Sequence, residues 1–331
     1  MRNRFGVAAL LLFLLCLPFP LLAQSYPTVY VGLVSITPSN APVLAGVDGG
    51  YFKKYALDVK PLIMAGSSTA LAAMLSGEAR FITIAGSGLI NAYLGGGDSV
   101  MIAGLINFAP YDLIVSKEIH RIEDLKGKKV GIARFGGSAD FLARWGLEKY
   151  GLKPGKDVTI LQTGGTPERL AAVSQGAIQA TLLEQAFAYQ AKRTGLRSLL
   201  DYSTVGLDYQ HSGIGTTKSF VAKNRDVVTR FLKALIEGIH RLKNDQAFAL
   251  KVVERHLRIT DKEMIKAAYD ANVPHLSVVP YVNLKGMKFL LDTTVDANPK
   301  ARDLKPEQVG DNSILQEIEA SGFVKQIASG K

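Results

Sequence analysis

Cysteine is nearly missing from this chain. Its single copy, Cys16, lies within an N-terminal apolar run, so the rest of the protein has no disulfide, no thiol nucleophile and no cysteine-based metal site. Histidine is also scarce. None of the five histidines falls into H-E-x-x-H or another metal-ligand spacing, and no metal or cofactor is expected. Beyond residue 22 no apolar stretch is long enough to cross a bilayer. Basic residues are in excess, with a formal net charge of +10, but they are scattered among acids, as in "RIEDLKGKKV". No basic stripe interleaved with aromatics exists, so nucleic acid is not an expected partner. A generally basic surface that attracts anions is the plainer reading.

The apolar run is Val7 to Leu22. Arg2 and Arg4 precede it, and the small residues Ala23 and Ser25 follow. This is the layout of a secretory signal peptide, expected to occupy residues 1–23. Its length nearly suits an uncleaved anchor instead, and Pro18 and Pro20 count against that. Leu15 before Cys16 does not suit a lipid-anchor site, so an exported, soluble product is expected. Removing Arg2 and Arg4 leaves a net charge of about +8. The remaining length suggests two domains.

The chain repeats itself weakly. "LAAMLSG" from Leu71 is echoed by "LAAVSQG" from Leu170, about a hundred residues later. Each copy follows an apolar strand and a Gly-Ser or Gly-Thr turn, and each leads into another apolar strand. Strands alternating with helices at this spacing indicate parallel α/β units, and their duplication suggests two similar lobes. Ser67, Ser68 or Thr69, then Ser138, then Thr166 before Pro167 stand as helix caps, and "TDKE" from Thr260 reads as a capping box. After about Ser219 the pattern is mainly helical. No low-complexity linker separates the halves, so strands crossing near "INFAPYDLIV" and "YQHSGIGTTKS" are expected to join them.

Catalytic constellations are wanting. Ser87 sits in "AGSGL", where Ala85 and Leu89 replace the outer glycines of a nucleophile elbow. "GIARFGGS" from Gly131 resembles a phosphate loop, but Gly137 stands where the lysine should be. What remains is a set of helix starts at strand ends: "SITPSNAP", "AGSST", "RFGGSAD" and "TGGTPER". In open parallel sheets ligands collect outside the carboxyl ends of strands, where free N–H groups and the helix dipole favour anions. Several such turns can hold a small anionic or dipolar solute without a lysine and still release it.

Three stretches carry a family resemblance: "GVDGGYFKKYALDVKPLIMAGSSTALAAMLSGEARFITIAG", "IEDLKGKKVGIARFGGSADFLARWGLEKYGLKPGKDVTIL" and "SFVAKNRDVVTRFLKALIEG". They resemble the periplasmic substrate-binding proteins of ABC transporters for nitrate, sulfonates and taurine, a family that also includes carriers and synthases for the thiamine pyrimidine. The resemblance implies an α/β type II periplasmic-binding-protein fold, two lobes closing on a ligand about a hinge of crossing strands. The first lobe would span residues 26–108, the second 109–213, and residues 214–331 would return to the first. It implies a monomeric, periplasmic, non-enzymatic protein that passes a small-molecule ligand to an ABC permease and its ATPase.

By the same resemblance the ligand-binding positions are Ser35, Thr37, Asn40, Gly66, Ser67, Ser68, Ser87, Gly137, Ser138 and Gly165. Phe108 and Phe135 are candidate apolar walls, Arg134 a counter-charge for a sulfonate or carboxylate, and His211 a ligand hydrogen bond. Glu184 follows the strand "AIQATLL", and a carboxylate there argues against bare nitrate and for a ligand with an amine or ring N–H. Gln185 and Ala186 follow it where the family often has proline. The expected ligand is a small organic anion or zwitterion, with a thiamine-precursor aminopyrimidine as the alternative. A pyrimidine synthase of this fold would need cysteines that the mature chain does not have.

Overall fold

The computed structural model describes residues 26–34, 36–64, 66–257 and 260–329. The segment read as a signal peptide, residues 1–23, lies outside the described residues, as does Ser35. The first sheet starts with parallel β1 (Thr28–Leu33), β2 (Asp58–Ile63) and β3 (Phe81–Ile84). Between them run α1 (Ala41–Asp48), the single turn α2 (Tyr51–Lys54) and α3 (Ser67–Ser76). Then α4 (Gly86–Leu94) leads to β4 (Ser99–Ile106). The second sheet holds β5 (Tyr111–Val115), β6 (Lys129–Ile132), β7 (Thr159–Gln162), β8 (Ala180–Glu184) and β9 (Arg197–Asp201). Its helices are α5 (Ser138–Lys149), α6 (Thr166–Ser174) and α7 (Gln185–Arg193). The chain returns to the first sheet as β10 (Ser212–Thr217). Helices follow: α8 (Lys218–Lys223), α9 (Arg225–Asn244), α10 (Gln246–Leu257), α11 (Lys262–Asn272), α12 (Leu284–Thr294), α13 (Ser313–Ala320) and α14 (Phe323–Ala328).

The strand orders are β2-β1-β3-β10-β4 and β7-β6-β8-β5-β9. They coincide when β6, β7 and β8 are laid on β1, β2 and β3. In each sheet the antiparallel member is the strand arriving from the other half: β10 runs against β3 and β4, and β5 against β8 and β9. The two copies of the sequence echo therefore fall on α3 and α6, the helices after topologically matching strands. β3 and β8 are buried along their whole length, as expected for apolar strands at the centre of a sheet covered on both faces. Residues 107–110 and 202–211 carry the chain between the sheets.

The helical C-terminal part packs on the first sheet through α9, where Phe231 stacks on Phe81 (centroids 4.0 Å apart) and Phe52 (5.0 Å). It also reaches the second half. Ile265 and Ala268 of α11 pack with Ala186 of α7, and Phe289 of α12 lies edge-on to Phe141 of α5. The cap of α11 is Asp261 rather than Thr260: its carboxylate accepts from the Glu263 and Met264 N–H groups. An ionised acceptor at a helix start is stronger than a hydroxyl.

Helices α1 and α9 approach backbone to backbone. A Cβ at Gly238 would lie 2.9 Å from the Gly46 nitrogen and 3.1 Å from the Pro42 carbonyl, neither of which can yield as a side chain can. Gly238→Ala is expected to cost about 1–3 kcal/mol by forcing these helices apart. Urea denaturation measures this, and an unchanged midpoint would refute the tight contact.

Candidate functional site

A cavity of about 490 Å³ lies beyond the carboxyl ends of β1, β3, β6, β7 and β8, between the two sheets. The helix starts around it differ from expectation in one respect. Glycine, not serine or threonine, takes each cap position: Gly66 before α3, Gly137 before α5 and Gly165 before α6. No side chain caps any of the three. Ser67, Ser138 and Thr166 stand at the first helical position instead, and all three line the cavity. The reason is conformational. Gly66 and Gly164 have φ of +92° and +100°, which side-chain-bearing residues rarely adopt, and the tight turns they make place the cap one residue earlier. These helix starts thus bring their uncapped ends to the cavity with hydroxyls not committed to capping.

Of the expected positions, Thr37, Asn40, Gly66, Ser67 and Arg134 line this cavity, as do Gly137, Ser138, Gly165, Glu184 and His211. Four others stand apart from it. Ser68 is exposed on α3, one residue round the helix from Ser67. Ser87 is buried and donates to the Gly136 carbonyl (3.3 Å), joining the two halves rather than facing the cavity. Phe108 belongs to the crossing segment, edge-on to His275 with centroids 5.4 Å apart. Phe135 is exposed beneath the Arg144 guanidinium. Arg134 lies at the mouth against Gly66, where a Cβ would come within 2.9 Å of its Nε.

The cavity wall also contains groups that the sequence reading missed. Arg169, only 2% exposed, is a buried cation on α6. Its guanidinium donates to the Gly164 carbonyl (2.9 Å), the Thr166 hydroxyl (3.2 Å) and the Leu182 carbonyl (3.2 Å), tying the turn to β8, while its Nε has no partner. Ser39 and Tyr111 also line the cavity. The sequence held a signal for the arginine: in the repeat, Arg169 stands where the first copy has Ala70, so one lobe has a large cation where its twin has a methyl group.

Glu184 is buried at the end of β8, where it holds the cap position of α7 without capping it, and its Oε2 has no partner. Burial pushes its carboxyl up to about 7, against the Arg169 guanidinium and the Ser39 hydroxyl, which both favour the anion. Burial pushes His211 the other way, down to about 3, so its imidazole stays neutral. It bridges the halves: Nε2 lies 3.3 Å from the Ser39 hydroxyl and Nδ1 3.2 Å from the Ser138 hydroxyl. Tyr111 meets its ring edge-on, with centroids 5.2 Å apart. The Tyr111 hydroxyl is held protonated by burial and by Glu184.

Residues 37–249 match the family described as NMT1/THI5 like. The chain belongs to that family. No curated protein sequence matches it. Three solved structures show how far the family's architecture extends. The alkanesulfonate-binding protein SsuA from Xanthomonas axonopodis pv. citri, bound to MOPS, superposes with a TM-score of 0.70 at 16% identity, over 86% of this chain and 96% of its own. The periplasmic nitrate-binding protein NrtA from Synechocystis PCC 6803 gives 0.71 at 16% identity, over 89% of each chain. A Candida albicans protein with the generic periplasmic binding protein fold gives 0.66 at 14% identity, over 89% of this chain and 95% of its own. The NMT1/THI5-like chain therefore has the periplasmic binding protein fold, as the resemblance in its sequence implied. Among the described residues no helix is long and apolar enough to cross a membrane.

Proposed function

We propose that this protein is an extracytoplasmic solute-binding protein that delivers a small organic anion or zwitterion to an ABC permease and its ATPase. The observation that carries this reading is the cavity between the two sheets, where uncapped helix N-termini, the Ser67, Ser138 and Thr166 hydroxyls and the buried Arg169 converge. Such a site complements a sulfonate or carboxylate, and its apolar members Ile36, Met64, Ile84 and Phe187 suit an organic body. The fold is shared with proteins that bind alkanesulfonate and nitrate. Nitrate itself suits the site poorly, because the buried Glu184 would repel a bare anion when ionised. Residues 107–110 and 202–211 would act as the hinge for closure on the ligand.

Catalysis is the weaker reading. Ser138 and His211 stand at the distance of a nucleophile and its base, but an imidazole held near 3 is too weak a base to activate a serine at neutral pH. One observation favours a second ligand class: the unpartnered Glu184 Oε2 would accept from the ring N–H or amino group of an aminopyrimidine.

A thermal-shift screen of ethanesulfonate, taurine, small carboxylates, nitrate and aminopyrimidines tests the proposal. An organic anion or zwitterion at a hundred times its dissociation constant should stabilise the protein by about 2.7 kcal/mol, with nitrate silent. A screen in which nothing shifts the transition, or in which a shifting compound is turned over, would defeat it.

A further inference from the structure

Helices α7 and α11 belong to opposite halves and meet on faces that do not line the cavity. α7 is fixed to the second sheet. Its Ala188 and Ala191 are buried with Ile114 and Leu183, and Lys192 pairs with Asp112 of β5 at 3.1 Å. α11 is fixed to the first half. Tyr269, and Val273 just beyond the helix, pack in the core under the first sheet, and Lys243 of α9 donates to the Pro274 (2.8 Å) and Leu276 (2.6 Å) carbonyls. The stripe left over on α7 is Ala186, Tyr189 and Arg193, at i, i+3 and i+7 on one side of the helix. On α11 and its cap the facing stripe is Asp261, Ile265 and Ala268, at i, i+4 and i+7. Ala186 and Ala268 are small enough to let the helices approach closely, with Val253 of α10 beside them.

The two helices run antiparallel. Ala186, at the start of α7, packs among Ile265 and Ala268, whereas Arg193, in its last turn, pairs with Asp261 (3.4 Å) and Glu263 (3.0 Å) at the start of α11. Between these points the Tyr189 hydroxyl donates to Glu263 (3.2 Å). The opposite ends touch the crossing segments. Gln185 donates to the Ser203 hydroxyl (3.3 Å), and His275, beyond α11, lies edge-on to Phe108. One end of the helix pair thus sits at the proposed hinge, and Arg193 lies about 12 Å farther along α7. The other contact with the second half, Phe289 on Phe141, is beside the hinge, since Phe141 also stacks on Tyr209 with centroids 5.5 Å apart. A rotation about the crossing segments can leave that contact in place, but it must part the Arg193 end of α7 from α11.

We propose that α7 and α11 form a latch that holds the two lobes together without a ligand, with Arg193 as its catch. Ion pairs as exposed as these are individually weak, and the apolar patch behind them is made of four residues, so the latch biases closure without locking it. The closed arrangement is then populated in the empty protein, and a ligand adds to an equilibrium already set toward it. The latch does not depend on what the cavity holds. Its consequence for transport, faster solute release when the catch is weakened, rests on the solute-binding reading.

The test measures lobe separation in the full chain with no ligand added. Cys16→Ser removes the one native thiol, and Ser68→Cys on α3 with Leu161→Cys on β7, both exposed, place a spin label on each lobe. Pulsed dipolar spectra of this background protein should be dominated by one short distance. Arg193→Glu sets a carboxylate against Asp261 and Glu263, exchanging two weak attractions for two repulsions. It should lower the closed-to-open ratio about tenfold and bring up a longer distance. Adding Glu263→Arg to it should restore the short distance, which a misfolded Arg193→Glu protein could not show. Salt should act with opposite signs. Raising sodium chloride from about 0.05 to about 0.5 M should favour the longer distance in the background protein and the shorter one in Arg193→Glu, because screening weakens the attraction in one and the repulsion in the other. Arg193→Glu spectra identical to the background, a background protein already mostly open, or a loss of the short distance that Glu263→Arg does not reverse would each overturn the latch. A chain that behaved as expected but bound no organic anion or zwitterion would sink the solute-binding reading alone. One that bound such a solute with distances indifferent to Arg193 would sink only the latch.

Discussion

Arg169→Met is expected to lower the unfolding free energy by about 3 kcal/mol at pH 8 and to remove measurable solute binding. The guanidinium joins three elements at once, the turn before α6 through Gly164, the start of α6 through Thr166, and β8 through Leu182. Methionine fills the volume but leaves those acceptors in a buried wall without their donor, and buried unpaired groups cost about 1–3 kcal/mol each. It also strips Glu184 of its main counter-charge. The penalty depends on pH. At pH 5 Glu184 is neutral and little is lost by removing a cation beside it, so the cost should shrink to that of the lost hydrogen bonds. Arg169→Lys keeps the charge but not the fork, and should recover part of the stability at pH 8 without restoring all three bonds. Urea midpoints for the three proteins at pH 5 and 8 measure this. A methionine variant as stable as the wild type at pH 8 would show that the arginine does not hold the wall.

The architecture was legible because it rests on patterns that one sequence carries whole. The echo between Leu71–Gly77 and Leu170–Gly176 reports a duplicated strand-turn-helix unit, and the structure sets its copies on matching helices of two sheets with the same strand order. The crossings expected near "INFAPYDLIV" and "YQHSGIGTTKS" follow from the lack of any low-complexity linker, and residues 107–110 and 202–211 carry the chain between the sheets. The glycine turns were also visible, but their cap assignments came out one residue late. Propensity ranks serine and threonine above glycine as caps, whereas here the left-handed backbone of the tight turns decides the position.

The electrostatics of the site were much less legible. Arg169 follows Glu168 in "TPERLAAV" and reads as one of a pair of charges on a solvated helix. Its burial depends on the guanidinium folding back onto the turn and β8, a long-range contact that no local pattern encodes. Ser39 lay within a stretch already singled out, yet nothing in "SITPSNAP" shows that it meets a histidine 172 positions later. Ser68 and Ser67 are equivalent as letters, and the hundred-degree step between successive helical residues separates the exposed one from the one on the cavity. The resemblance supplied turns and strand ends, and tertiary packing supplied the charge.

The pH dependence of stability should show Glu184 and His211 opposing one another. The Glu184 carboxyl is raised from 4.5 to about 7, so its contribution is fully present below 4.5 and is lost as pH rises through 7. The His211 imidazole is lowered from 6.5 to about 3, so its contribution is present above 6.5 and is lost as pH falls through 3. Each changes stability by about 1.4 kcal/mol per pH unit within its own window. Between 4.5 and 6.5 the slopes have opposite signs and nearly cancel, which hides both from a wild-type profile. Glu184→Gln uncovers the histidine. Relative to the wild type, the variant should gain about 3 kcal/mol between pH 4.5 and 7, because it no longer has a buried carboxyl to ionise. Its own stability should rise with pH over that range instead of staying level. Urea unfolding of both proteins at four pH values from 4.5 to 8 gives the difference directly. A difference that stays constant across the range would mean that Glu184 titrates alike in the folded and unfolded chains.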